Sequence, residues 1–237
     1  MPPGADPAVT LELLTRGEIE LKGRLPRSSN ATFLVELTLD GASVMAVYKP
    51  ERGERPLWDF PPGLFRREIA AYLLSQALGW GLVPATAPRE GPLGEGSLQV
   101  FVPADFRQHY FTLVEQAEHR EALRRICLFD LVVNNADRKS GHCLYVPADR
   151  IYAIDNGLTF HAESKLRTVI WDFGEEPIAP GLLEDLRRVL DEGLPPTLCD
   201  LLDPDEQRAL KRRARGVLRS GHFPVDQSGL RYPWPLV

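Results

Sequence analysis

The stretch Asn134–Gly157, NNADRKSGHCLYVPADRIYAIDNG, constrains this chain more than any other. Asp137 stands near its start and Asp155 near its end, with His142 at the fifth position after Asp137. Between them Leu144, Val146, Ile151 and Ala153 alternate with other residues around a Pro-Ala-Asp turn. That pattern predicts a loop, a β-hairpin, and an acid delivered at the end of the second strand. An Asp in a turn and an Asp before a glycine are each common, and a lone D-x-G carries almost no information. The pair at this spacing, with a hairpin between, is more specific.

Phosphoryl transfer from ATP calls for this arrangement. The reaction is mostly positioning and charge neutralisation. One carboxylate orients the attacking hydroxyl and accepts its proton, and a second holds a divalent metal against the phosphates. Asp137 fits the first role, His142 the metal-ligand position that protein kinases place five residues further on, and Asp155 with Gly157 the D-x-G.

Composition narrows the classes. A chain of 237 residues is one large domain or two small lobes, and 43% hydrophobic content supports a full core. A formal charge of −5 argues against a nucleic-acid or anionic-membrane partner. The chain shows neither an apolar run of transmembrane length nor a signal-peptide pattern. Three cysteines, Cys127, Cys143 and Cys199, without metal spacing, point to reduced thiols and a cytoplasmic setting.

Residues 1–8 are expected to be disordered, and 9–25 form a short mixed segment in which Ile19 and Leu21 alternate. Phe33, Val35, Leu37 and Leu39 then alternate, Asp40-Gly41 is a strong hairpin turn, and Val44–Tyr48 is a second strand. Ser28, Ser29 and Asn30 stand at its entrance. Small polar residues there could bring backbone N–H groups to phosphates, although an ordinary turn is the commoner fate. Lys49 ends the strand and is a candidate phosphate-binding lysine. Glu68, nineteen positions on, falls on a helix expected over 64–78, where it could pair with Lys49. Residues 82–103 read as two strands around GPLGEG, a hairpin turn rather than a phosphate loop, because no helix follows.

From Arg107 the pattern becomes helical. A helix over about 118–134 delivers the Asp137 loop, with Cys127 as core filler. The literal Trp-Asp-Phe-Gly at 171–174 is rejected as the metal motif, because no second hairpin strand precedes it. Amphipathic helices are expected over 182–192 and 203–219. The basic run 211–215 reads as a solvated face.

Taken in order, these features resemble the phosphatidylinositol 3-/4-kinase-like branch of the kinase superfamily. They are closest to the type II phosphatidylinositol 4-kinases and to small uncharacterised actinobacterial kinase-like proteins. Asn135-Ala136-Asp137-Arg138 through Leu144 resembles that family's N-T-D-R-G-N-D-N-W-L loop. Ala153-Ile154-Asp155-Asn156-Gly157-Leu158 resembles its A-I-D-N-G-L, and Gly96 to Val102 resembles its hinge strand. Looser matches are Ser28-Ser29-Asn30, Tyr48-Lys49-Pro50 and Glu68 to Leu73. The likeness covers roughly 25–160. It implies an α+β, bilobal protein-kinase-like fold with a β-rich N-lobe over 9–103 and a mainly helical C-lobe over 104–237. It also implies ATP with Mg²⁺ or Mn²⁺. Lys49 would bind phosphates and Glu68 position it. Ser28, Ser29 and Asn30 would cover the phosphates, and Gln99 to Val102, Phe101 included, would hold the adenine. Asp137, with Arg138 beside it, would serve the acceptor, and Asp155 and His142 the metal.

Two positions depart from the family. His142 replaces an Asn ligand and Gly141 replaces an Asp. A nitrogen ligand favours Mn²⁺ over Mg²⁺, so higher activity with Mn²⁺ is expected. The reading is an ATP-dependent phosphotransferase acting on a hydroxyl of a protein or small molecule. The alternatives are a nucleotide-binding pseudokinase or scaffold, and an AMP transferase on the same fold. Membrane association is not expected, since the chain is acidic and carries no cysteine-rich acylation stretch.

Overall fold

The computed structural model describes residues 7–26, 28, 30–147 and 150–237. Asp40 and Gly41 both adopt positive φ, 48° and 79°. A two-residue turn of that kind matches the right-handed twist of its flanking strands. It joins β2 (Phe33–Leu39) to β3 (Ala42–Pro50), paired from Phe33↔Tyr48 to Leu39↔Ala42. The expected hairpin is there. Before it come α1 (Pro7–Arg16) and β1 (Glu18–Arg24), and after it α2 (Leu64–Ala77), β4 (Thr86–Gly91) and β5 (Gly94–Val100). The five strands form one antiparallel sheet in the order β1-β2-β3-β5-β4.

The second half carries α3 (Tyr110–Leu113), α4 (Arg120–Val133), β6 (Cys143–Val146), β7 (Arg150–Ala153), α5 (Pro180–Glu192), α6 (Pro196–Cys199) and α7 (Pro204–Ser220). β6 and β7 pair as the expected separate hairpin. No helix among the described residues is long and apolar enough to cross a membrane.

Three features differ from the sequence reading. Helix α1 begins at Pro7, inside the stretch expected to be disordered, because Thr10, Leu13 and Leu14 line one face and are buried. The hinge strand ends at Val100, although the Phe101 N–H still donates to Met45 O at 2.9 Å. The third concerns α2, expected with the N-lobe. The sheet has its own core, with Val35, Leu37, Ala46, Tyr48, Leu98 and Val100 closed by Leu14 of α1. Ala70, Ala71 and Leu74 of α2 join the larger core that includes residues of α4, α5 and α7, while Tyr72 of α2 packs on both cores. Helix α2 also touches β4 and β5. It therefore couples the two halves.

Candidate active site

Helix α4 ends at Asn134, whose left-handed backbone (φ 60°) an Asn tolerates better than most residues. Its side chain ties the exit from the helix to the 161–165 segment. Nδ2 donates to His161 O (3.0 Å) and Glu163 O (2.6 Å), and Oδ1 accepts from Lys165 N (3.0 Å). Asn135 Oδ1 then accepts the Asp137 N–H at 2.9 Å, which fixes the backbone that carries Asp137. The Asp137 carboxylate is held 3.1 Å from Lys139 Nζ. Burial raises the Asp137 pKa above the ordinary aspartate value, against the pull of Lys139, and the charge of Asp155 adds to the rise. Lys139 was missed by sequence reasoning. The available signal was its place two residues after Asp137 on an extended segment, which puts both side chains on one face.

Arg138, expected among the catalytic residues, is fully buried. Its guanidinium donates to both oxygens of Asp130 on α4 (3.0–3.1 Å), to Ile154 O, and to Asn156 Oδ1 at 2.7 Å. It ties α4, the Asp137 loop and the Asp155 segment together, and is not exposed to touch a substrate. A buried charge is tolerable only when satisfied in this way.

Lys49, at the end of β3, meets two acids from distant parts of the chain. Nζ donates to Glu68 Oε1 and, at 3.0 Å, to Asp155 Oδ1. Glu68 is 2% exposed, and its second oxygen accepts the Asn156 N–H at 3.0 Å. So Glu68 holds the lysine and the D-x-G backbone at once. Burial opposes the Lys49 charge, but the Asp155 and Glu68 carboxylates outweigh it and hold the pKa above the ordinary lysine value. Lys49 in turn holds the Asp155 carboxyl well below the usual carboxylate range. Asp155 takes a left-handed backbone (φ 57°), a conformation that costs energy and collects at functional sites.

His142 Nδ1 accepts the Lys139 N–H at 3.3 Å, and Nε2 lies 3.3 Å from Asp155 Oδ2. Burial pushes the imidazole pKa down to about 4, so the ring is neutral at pH 7. A neutral imidazole carries one proton, and with Nδ1 accepting it sits on Nε2. Nε2 thus faces Asp155, and the Lys139 N–H holds the ring in that orientation.

Among the described residues no group of three or more His, Cys, Asp and Glu side chains could hold a metal. The donor that fits a hard divalent cation is the half-exposed carboxylate of Asp155. One or two carboxylates with phosphate oxygens and water is the manner of Mg²⁺.

The remaining expected residues are placed as follows. Ser28 donates to Thr32 Oγ1 (3.0 Å), and Asn30 Oδ1 accepts from Arg55 N (2.9 Å). Both brace the turn. Ser29 lies outside the described residues. Gln99 Nε2 is taken by Thr86 Oγ1 at 2.9 Å. The Val102 side chain lies in a small apolar cluster with Leu144, Val146 and Tyr152, flanked by Ala104 and Ile154. The Val102 N–H finds no acceptor among the described residues. Leu144 and Ile154 come from the β6–β7 hairpin and its exit, so this cluster joins the end of the sheet to the Asp155 segment. In the Trp-Asp-Phe-Gly run, Asp172 accepts from Tyr110 OH and Phe173 is buried against Arg120 and Arg124. Of that run only Phe173 joins the core.

A five-stranded sheet carrying the Lys49–Glu68 pair, set on a helical half that carries the Asp155 hairpin, is a kinase-like fold. The structure of hydra Fam20 with sugar matches with a TM-score of 0.60 at 14% identity, over 89% of this chain and 87% of that one. The Helicobacter pylori proinflammatory kinase CtkA matches more loosely, with a TM-score of 0.48 at 13% identity, over 89% of this chain and 94% of that one. No protein-family model matches the chain. In sequence it is 38% identical over 260 residues to Protein Rv2133c of Mycobacterium tuberculosis (strain ATCC 25618 / H37Rv), covering 94% of each. The chain belongs to the family of that protein.

Proposed function

We propose that this chain is an ATP-dependent phosphotransferase that moves the γ-phosphoryl group to a hydroxyl of a protein or small molecule. The observation that carries the reading is the Lys49 ammonium, held between Glu68 and Asp155 Oδ1 at 3.0 Å. Two acids far apart in sequence converge on one lysine, beside a third acid on a backbone-fixed loop. Lys49 stays charged at any working pH and neutralises phosphate oxygens. Val102 N–H, beside the apolar cluster, receives the base. Asp137 orients the acceptor hydroxyl and takes its proton as the new O–P bond forms and the bond to the leaving diphosphate breaks. Lys139 steadies the charge there. Asp155 would hold Mg²⁺, which when bound neutralises charge on the phosphates. His142 orients Asp155. The subtype resembling the phosphatidylinositol 3-/4-kinases rests on the Asn135–Leu144 and Ala153–Leu158 motifs.

Ligand that binds only the folded chain must raise its melting temperature. Millimolar ATP with Mg²⁺ is expected to do so for wild type and not for Asp155→Ala. No shift for wild type would overturn the nucleotide site. Intact mass of a modified acceptor separates phosphoryl from AMP transfer. A shift with no turnover on any acceptor class would leave the pseudokinase reading, for which the departures at Gly141 and His142 speak.

A further inference from the structure

Arg67 and Glu68 are neighbours on α2 and point about 100° apart around the helix. Glu68 faces Lys49 and the Asn156 N–H. Arg67 grips the same segment from its other end. Its Nε donates to Thr159 O at 3.0 Å, and Thr159 Oγ1 donates to Asn156 O at 2.7 Å. The rest of the guanidinium is spent on the helical half, where Nη2 donates to Glu206 Oε1. Arg67 and Glu206 are each 5% exposed. Glu206 is itself fixed. It lies in the first turn of α7, where the helix dipole favours a carboxylate, and its Oε2 accepts the Asp203 N–H at 3.2 Å. The apolar face of α2 lies in the core shared with α4, α5 and α7.

We infer that Arg67 and Glu206 are positioning residues that lock α2 onto segment 155–159, so that the Lys49–Glu68 pair stays engaged with no activating movement of the helix. Swinging α2 away would leave Glu206 buried without its partner and the Thr159 carbonyl unsatisfied, and both are strongly disfavoured. The lock is geometric. Its consequence for turnover rests on the phosphotransferase reading.

The test uses the full chain as wild type, Arg67→Met, Arg67→Met/Glu206→Leu, and Arg67→Lys. Arg67→Met strands a buried carboxylate, and the melting temperature is expected to fall by roughly 10 °C. The double variant removes both charges and is expected to recover most of that loss. Arg67→Lys keeps a charge against Glu206 but gives up the fork that also reaches Thr159. In the last two, amide exchange of peptides spanning 64–77 and 154–160 is expected to rise about tenfold, with 180–192 unchanged. Turnover at saturating ATP should fall by about tenfold, with melting temperature close to wild type. Wild-type exchange in both variants overturns the lock, whatever the turnover. Faster exchange in a chain that never turns over ATP upholds the lock and sinks the phosphotransferase reading instead.

Discussion

At the scale of the residue, the site separates side chains that can touch a substrate from those that hold them. Asp137 is of the first kind. Asp137→Asn should lower kcat by about 10²–10⁴-fold and leave the ATP-dependent thermal shift in place. Because burial raises the Asp137 pKa, the acid limb of the kcat/KM profile should lie above the ordinary aspartate value, with activity rising as the carboxyl ionises. His142 is of the second kind, and its titration gives a test without turnover. Its folded pKa of about 4 lies below the ordinary histidine value of 6.5. Between those values the unfolded chain binds a proton that the folded ring refuses, so stability rises with pH across that window. It is lost as pH falls towards 4, by about 3 kcal/mol at most. Chelator-treated His142→Gln should show a flatter slope in urea melts from pH 4 to 6.5. An unchanged slope counts against the buried neutral ring. The type of most of these residues was legible in the sequence. Their partners were not, and so Arg138 read as catalytic although Asp130, Ile154 and Asn156 enclose it completely.

At the scale of the element, strand pairing decides where Lys49 points. Gly96 on β5 lies opposite Pro50, next to Lys49 on β3. A Cβ at Gly96 would stand 2.4 Å from Lys49 O and 2.7 Å from Pro50 Cα, both backbone atoms that cannot step aside. Gly96→Ala should therefore cost about 3 kcal/mol in denaturant unfolding, and weaken ATP binding more than a surface change of equal stability cost. Elements with a strong period, such as β2, β3 and α4, were readable because apolar spacing and one turn signal agree. Helix α1 was not, because its buried face, Thr10, Leu13 and Leu14, is short and includes a polar residue. The hinge was read two residues too long, since Phe101 and Val102 continue the apolar run while Val102 turns away to pack on Leu144 and Tyr152.

At the scale of the whole molecule, α2 joins two cores that a bilobal description would keep apart. Its apolar face lies in the C-terminal core, it packs on β4 and β5, and Trp80 just beyond it donates to Asp185 on α5 at 3.0 Å. Arg188 on α5 reaches back to Ala77 O at 3.0 Å. Thermal unfolding should accordingly follow one transition, with coincident melting by fluorescence and circular dichroism. Two separated transitions would show that the halves fold independently. The sequence by itself determined the hairpins, the principal helices and the identity of the acids and the lysine, because these depend on local spacing and side-chain chemistry. Only the tertiary structure decided that Lys49 meets Asp155, that Arg138 is enclosed, that His142 Nε2 faces Asp155, and that α2 belongs to both halves. Those outcomes depend on pairings between residues far apart in the chain, and local period carries no information about which distant partner will satisfy a buried charge.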